Sequence, residues 1–292
     1  MNRRSLLKGV LLGAAALAFR PKLSLAADVG DIKARLAALE RQHGGRLGVA
    51  ILDTGNGRST GHRADERFLM CSTFKLLLVA AVLARVDRGA ERLDRRIVFG
   101  DDAVLHYAPI TSHRTGGHGM TVAELCQAAI TVSDNTAANL LLASLGGPSA
   151  VTAFARSVGD ELTRLDRIEP ELNVGAAGDL RDTTTPSATL GDMEKILLGH
   201  TLSDASREQL IAWLRATTTG DAKLRAGVPP GWKVGDKTGN DGHSVSNDIA
   251  IIWPPGRRPL LVTAYYVNSA ADDDARSRML ADVGRIAASL AG

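Results

Sequence analysis

The stretch Met70-Cys71-Ser72-Thr73-Phe74-Lys75 is followed by nine apolar residues without a break, Leu76 to Ala84. A helix that is apolar on every side has to be buried, because a surface helix would show a polar face. Nine residues are too few to cross a bilayer, which takes about 20. This stretch therefore predicts the central helix of a globular core, with a serine and a lysine at its start.

The spacing of three residues places Ser72 and Lys75 on one face of that helix. Burial lowers the pKa of a lysine readily, and a neutral amine beside a hydroxyl can activate it as a nucleophile. We expect Ser72 to be exposed at the helix start. The pattern is not specific by itself, since Ser5-Leu6-Leu7-Lys8 repeats it, so its meaning depends on the rest of the chain.

Strand patterns lie near both ends of the chain and helical patterns fill the middle. The predicted strands are 47–52, a partner after the turn at 53–57, and then 232–238, 248–253 and 260–267. Short loops join the last three, which favours antiparallel pairing. We predict an α/β (α+β) fold, in which an antiparallel sheet of about five strands is built from both termini and flanked by helices. In this single domain, 27–292, an all-helical lobe of about 71–215 is inserted into an α/β lobe of about 27–70 and 216–292.

Residues 1–26 are typical of a signal peptide, with a basic start, an apolar stretch from Gly9 to Phe19 and a cleavage site after Ala26 or Ala27. Adjacent Arg3 and Arg4 resemble a twin-arginine signal; a Sec signal is the alternative. We therefore expect a periplasmic protein. Without this segment, which holds five of the 35 basic residues, 35 − 5 = 30 basic side chains face 32 acidic ones. That balance gives no case for nucleic-acid binding.

Two short polar motifs follow the predicted core helix. Ser133-Asp134-Asn135 stands before an apolar run, where it could simply cap a helix, and Lys237-Thr238-Gly239 ends a predicted strand, where it could simply mark a turn. Together with Ser72 and Lys75, in this order and on these elements, they resemble the signature of the penicillin-recognising serine enzymes.

A third segment resembles the Ω-loop of the class A β-lactamases within that group. It runs from Arg167-Ile168-Glu169-Pro170-Glu171-Leu172-Asn173 to Arg181-Asp182 and then Thr183 to Pro186. The resemblance covers nearly the whole chain after the signal segment. It implies an ion pair between Arg167 and Asp182 that closes the neck of the loop, and a cis bond between Glu169 and Pro170.

The resemblance implies a reaction and a role for each catalytic residue. Ser72 would attack the strained amide of a β-lactam, such as a penicillin or cephalosporin, and form an acyl-enzyme. Either Lys75 or Glu169 acting through a water would take its proton, and both remain open. Ser133 would pass a proton to the departing nitrogen, and Glu169 would activate the hydrolytic water.

The same resemblance implies a substrate-binding set. Lys237, Thr238 and Gly239 form the strand motif, with Lys237 and Thr238 on the substrate carboxylate. Asn135 would bind the substrate's side-chain amide, and Asn173 would help to hold the water. The backbone N–H groups of Ser72 and Asn240 would bind the oxyanion. Tyr107 either lines the mouth of the cleft or is an ordinary half-buried tyrosine. No cofactor is implied, and the partners are small β-lactams bound by a monomer that no longer contacts the membrane.

Several features depart from the family pattern. Ser244-Val245-Ser246-Asn247 lacks the arginine that many relatives place on this strand, so Lys223, Arg225 or Arg276 would have to supply the second positive charge for the substrate carboxylate. Many relatives join the residue matching Cys126 by a disulfide to one that is valine here, so we expect two free thiols, Cys71 and Cys126.

Three alternatives share these motifs. A penicillin-binding D,D-peptidase would lack Glu169, and a β-lactam sensor domain would need a membrane tether. A catalytically inactive binding protein would keep all of the motifs, and only multiple turnover of a substrate distinguishes it. The histidines show no metal-ligand spacing with cysteines or carboxylates, so we expect no metal site.

Overall fold

A five-stranded antiparallel sheet organises the fold. The computed structural model describes residues 29–176 and 178–291, so the predicted signal peptide lies outside the described residues. The strands of this sheet are β1 (Arg46–Asp53), β2 (Arg58–His62), β7 (Lys233–Asn240), β8 (Ser246–Trp253) and β9 (Leu260–Val267). They lie side by side in the order β2–β1–β9–β8–β7. The two-residue strands are β3 (Phe68–Leu69), β4 (Arg96–Ile97), β5 (Met120–Thr121) and β6 (Thr183–Thr184). The prediction of an antiparallel sheet built from both ends of the chain is confirmed.

Helices pack on both faces of the sheet. They are α1 (Val29–His43), α2 (Lys75–Asp87), α3 (Val122–Thr131), α4 (Asn135–Leu145), α5 (Pro148–Ser157), α6 (Pro186–Leu197), α7 (Asp204–Arg215), α8 (Leu224–Gly227) and α9 (Asp273–Ala288). Short 3-10 helices span Cys71–Phe74, Asp101–Ala103, Thr111–His113, Glu171–Asn173 and Ser289–Ala291. The predicted capping box opens α3, where Thr121 and Glu124 bond each other's backbone N–H groups.

Alternating side chains of the central strands belong to two separate apolar cores, one on each face of the sheet. On β8, Ile249 and Ile251 join the core made with α2 to α7, whereas Ala250 and Ile252 join the core made with α1 and α9. This is the period of two that a strand requires when both faces are covered. The sheet edge at β7 remains free to line a site.

Helix α2 is buried along its length from Lys75 to Ala84, as its composition predicts. The expectation that Ser72 is exposed is wrong, because the residue is only 8% exposed. Ser72 lies in the 3-10 turn that precedes α2, and the side chain of Glu169 covers its hydroxyl. Cys71 and Cys126 are both buried free thiols, which confirms the expectation that they are not bridged.

Among the described residues, no single helix is both long and apolar enough to span a membrane. The consecutive helices α4 and α5 meet that criterion of length and composition only when they are taken together, and they meet at an angle of 72°.

Candidate active site

Ser72, Lys75 and Glu169 meet at the start of α2, although Glu169 is 97 residues away from Ser72. The Oε1 atom of Glu169 accepts a hydrogen bond of 3.1 Å from the Ser72 hydroxyl and lies 3.1 Å from the Lys75 ammonium. All three side chains are buried. The serine hydroxyl therefore contacts a carboxylate that in turn contacts an amine, away from bulk water.

Ser133 stands between two buried lysines. Its Oγ atom is 3.3 Å from the Nζ atom of Lys75 and 3.0 Å from that of Lys237. Lys75 also donates to the Ser133 carbonyl at 2.7 Å and to the Oδ1 atom of Asn135 at 2.6 Å. The hydroxyl of Ser133 is thus placed to exchange a proton with either amine.

Burial governs the ionisation of both lysines. It lowers the pKa of Lys75, although the charge of Glu169 acts in the opposite direction. Burial and then the positive charge of Lys75 lower the pKa of Lys237 to about 7. Two amines that lose their protons readily, on either side of one hydroxyl, suit proton transfer near neutral pH.

The turn that carries Ser133 is held by Asp134. Ser133 adopts a left-handed backbone conformation, with φ of 59°. The fully buried Asp134 caps α4 by accepting from Ala137 N–H, and it also accepts from the backbone N–H and hydroxyl of Thr111. The capping role therefore does belong to this motif, and it fixes Ser133 and Asn135 on either side of the cap.

The loop that carries Glu169 is closed by an ion pair. The Nε atom of Arg167 lies 2.5 Å from the Oδ2 atom of Asp182, and the Glu169–Pro170 bond is cis, as the resemblance implies. Asp182 also accepts from the backbone N–H of Arg167. Within the loop, Asn173 donates to the Oε2 atom of Glu169 at 2.6 Å. Contacts to both of its oxygens therefore fix the orientation of the Glu169 carboxylate.

Two asparagines that the sequence analysis missed position this site. Asn139 donates to the Glu169 carbonyl at 2.8 Å and accepts from the Glu169 N–H at 3.0 Å. Asn247, on β8, donates to the carbonyls of Leu69 and Met70 just before the serine turn. Each shares its element with other polar residues, such as Thr136 on α4 and Asp248 on β8, so the sequence offers no signal that singles them out.

The end of β7 forms the opposite wall. The hydroxyl of Thr238 contacts that of Thr219 at 2.6 Å. A side chain at Gly239 would meet the Met70 carbonyl at 2.7 Å, so only glycine allows the strand to approach the serine turn this closely. Beyond it, the exposed Asn240 donates to Asp273 at 2.7 Å.

Tyr107 lies at the rim, close to the turn that carries Ser133. Its backbone carbonyl accepts from Asn135 N–H at 3.0 Å, and the residue is 50% exposed. Its side chain is thus free to contact a molecule that enters the cleft.

The three cations that could supply a second positive charge for the substrate carboxylate near β7 differ in their partners. Arg225 pairs with the buried Asp236. Arg276 donates to the carbonyls of His243 and Ala271 and lies 3.5 Å from Asp273.

Lys223 has a different environment from these two arginines. It donates to the hydroxyls of Ser246 at 2.7 Å and Ser277 at 3.0 Å. Ser246 is the cross-strand partner of Asn240, so Lys223 lies behind the end of β7. Burial lowers the pKa of Lys223. Within residues 29–176 and 178–291, no group of three or more histidine, cysteine or acidic side chains could hold a metal ion.

The comparisons with known proteins agree with this geometry. The model of the β-lactamase enzyme family matches residues 31–290. The chain is 52% identical to β-lactamase L2 of Stenotrophomonas maltophilia, over 88% of this chain and 84% of that protein. It is 45% identical to β-lactamase CTX-M-25 of Escherichia coli, over 98% of both chains.

A solved structure of an ancestral (GNCA) class A β-lactamase superposes with a TM-score of 0.86 at 62% identity, covering 87% of this chain and 98% of that one. The chain therefore belongs to the β-lactamase enzyme family and is a class A serine β-lactamase, a hydrolase that cleaves β-lactams.

Proposed function

We propose that this enzyme opens penicillins and cephalosporins through an acyl-enzyme on Ser72 and releases the product with a water activated by Glu169. The observation that carries the proposal is the position of Glu169, whose Oε1 atom contacts both the Ser72 hydroxyl and the Lys75 amine. A sensor domain or a D,D-peptidase has no need of a buried carboxylate in this position.

In acylation, the Ser72 oxygen forms a bond to the β-lactam carbonyl carbon, and the C–N bond of the ring breaks. The serine proton passes to Glu169, which contacts the Ser72 hydroxyl in the free enzyme, or to Lys75, which contacts the same oxygen of Glu169. Ser133 gives a proton to the ring nitrogen and regains one from Lys75 or Lys237, which flank it. The backbone N–H groups of Ser72 and Asn240 bind the oxyanion.

In deacylation, a water adds to the ester carbonyl and the Ser72–carbonyl bond breaks. Glu169 takes the proton of that water, and Ser72 recovers its own. Asn173 orients the carboxylate through its contact with Oε2. The ion pair of Arg167 and Asp182 holds the loop so that the base stays on the correct side of the ester.

We assign the substrate carboxylate to Lys237 and Thr238, with Lys223 as the second positive charge. The two arginines are engaged by carboxylates or backbone carbonyls, whereas Lys223 contacts two neutral hydroxyls. Replacement of Lys223 by Met should raise KM for penicillins about tenfold, or about 1.4 kcal/mol. The exposed Lys33→Met is the matched control. An unchanged KM in Lys223→Met would indicate that Arg225 or Arg276 supplies the second positive charge instead.

The main test is multiple turnover of a chromogenic cephalosporin by the purified enzyme. Ser72→Ala should abolish both turnover and covalent labelling by penicillin while the protein still folds, because the change removes one hydroxyl. Ser59→Ala, an exposed serine on β2, is the control and should keep both activities. Labelling of Ser72→Ala at the parent rate would identify another nucleophile.

Export to the periplasm by the twin-arginine route, and β-lactam resistance in the host, complete the proposal. The basis is the pair Arg3 and Arg4 before an apolar stretch. Replacement of both by Lys should leave precursor in the cytoplasm and remove resistance, since the twin-arginine receptor reads the pair whereas Sec needs only positive charge. Full periplasmic activity of that variant would indicate the Sec route.

A further inference from the structure

Two aspartates outside the site lie against each other in the interior. Asp160 follows α5 and is 6% exposed, and Asp192 lies within α6 and is 1% exposed. Their carboxyl groups are neighbours, because each acts on the pKa of the other through a side-chain hydrogen bond. Neither residue belongs to the catalytic or substrate-binding set described above.

The hydrogen-bond partners of this pair are unequal. The Oδ1 atom of Asp160 accepts from the backbone N–H groups of Leu162 at 2.7 Å and Thr163 at 3.0 Å. Among the described residues, the Oδ2 atom of Asp160 and both oxygens of Asp192 have no donor. Two buried carboxylates in contact cannot both stay ionised. A proton between them removes the repulsion and supplies the missing donor.

The charged groups around the pair do not neutralise it. Lys195 of α6 donates to the Val158 carbonyl, and Arg156 of α5 donates to the backbone carbonyl of Asp160. Arg156 also lies 3.7 Å from Glu161. From the sheet, Tyr265 of β9 faces the pair as a neutral phenol, because burial raises its pKa.

The pKa values of the two aspartates are shifted in opposite directions. Burial, and then the charge of Asp160, raises the pKa of Asp192 to about 9. Burial also acts to raise the pKa of Asp160, but the hydrogen bonds from Thr163 and Leu162 outweigh it and lower that pKa. These opposite shifts of pKa favour a proton on Asp192, with Asp160 as its acceptor.

The turn that Asp160 holds leads directly into the loop that carries Glu169. Thr163 contacts the hydroxyl of Thr184 at 2.6 Å, and the next residue, Arg164, donates its N–H to the Thr183 carbonyl at 3.1 Å. Three residues later the chain reaches Arg167 and the neck of the loop. Asp160 thus fixes the segment that enters the loop, through its bonds to Leu162 and Thr163, whereas Asp182 fixes the neck of the loop.

We propose that Asp160 and Asp192 share one proton, and that this protonated pair is a positioning element for Glu169 because it anchors the turn at 160–163. The part that concerns Glu169 rests on the proposed function. The part that concerns the proton does not, and two of the three measurements below involve no β-lactam.

The first measurement is infrared spectroscopy of the native protein at neutral pH. The difference spectrum of the parent minus Asp192→Asn should contain the C=O stretch of a buried, protonated carboxylic acid. The control is Asp94→Asn, which removes an exposed carboxylate paired with Arg92, and its difference spectrum should lack this band. A parent-minus-Asp192→Asn spectrum without the band would overturn the shared proton.

The second measurement is the dependence of the unfolding temperature on pH. The folded pKa of Asp192 is raised to about 9 from an ordinary value of 3.8. Its contribution to stability is therefore complete below about pH 4 and is lost as pH rises to about 9, because over this range only the folded form holds the proton. Asp192→Asn lacks this loss, so its Tm relative to the parent should rise steadily from pH 5 to 9. A constant difference across that range would overturn the proposal.

The third measurement separates anchoring from simple stability. Asp192→Ala leaves Asp160 without a donor, so deacylation should slow at least tenfold while acylation is unchanged. Asp192→Asn should restore deacylation, because its amide donates the hydrogen bond that the shared proton supplied. Equal deacylation in the Ala variant and the parent, or equal defects in the Ala and Asn variants, would overturn the positioning role. If Asp192→Ala fails to fold, Asp192→Asn still decides the shared proton through the first two measurements, and the better space-filling Asp192→Val replaces Asp192→Ala in the deacylation assay.

Discussion

Replacement of Glu169 by Ala should separate the two halves of the reaction. The carboxylate is 1% exposed and held at both oxygens, by Ser72 and Lys75 on one and by Asn173 on the other. Its removal takes away the base for the hydrolytic water. General-base catalysis contributes typically about 10²–10⁴-fold. At about 1.4 kcal/mol per factor of ten, the barrier to deacylation should therefore rise by about 3 to 5 kcal/mol.

Acylation should survive this change in part. Lys75 keeps its contacts with the Ser133 carbonyl at 2.7 Å and with Asn135 at 2.6 Å, so it stays close to Ser72. The charge of Glu169 raises the pKa of Lys75, and its loss lowers that pKa further. The neutral amine is then available at lower pH, and the acidic limb of the acylation rate should move to lower pH.

The assay is a time course of intact mass after a penicillin is added. The Ala variant should accumulate one penicillin per chain, whereas the parent should show no lasting adduct. Glu169→Gln is the matched control for shape, since it fills the same space without a base and should accumulate the same adduct. If Glu169→Ala turns over penicillin at the parent rate, the assignment of the loop is wrong.

The remaining predictions concern the support of this loop and the cysteines. Arg167→Ala should slow deacylation less than Glu169→Ala does, because it loosens the neck but keeps the base; a defect in acylation alone would contradict this. Asn139→Ala removes two hydrogen bonds to the backbone of Glu169, at about 1 kcal/mol each, so the free energy of unfolding in urea should fall by about 2 kcal/mol and deacylation should slow. Cys71 and Cys126 should both be alkylated in the unfolded, unreduced protein, and a mass that shows neither modified would indicate a disulfide.

The fold was predictable because its signals are local and strong. The run after Lys75 is apolar on every side, and β9 is almost entirely apolar and buried along its whole length. The burial of Ser72 was not predictable in this way. It depends on Glu169, which is 97 residues away and reaches the serine only through the loop that Arg167 and Asp182 close.

The supporting residues of the site left little trace in the sequence. Asn139 appears as one polar residue on α4, and its partner is a backbone rather than a side chain. Asp192 appears as an ordinary surface acid on a helix, although it is buried against Asp160. Only the tertiary structure brings such distant polar groups together, so motifs that are read along the chain miss them.

The place of β1 in the sheet has a consequence for how the chain folds. Its residues pair with β9, for example Ala50 with Thr263, more than 200 residues later. Contacts so distant along the chain make folding slow, because a long loop must close before they form. The sheet cannot be complete until β9 has left the ribosome. Until then β1 has an unpaired edge that can associate with other chains, so the incomplete chain is exposed to aggregation during synthesis.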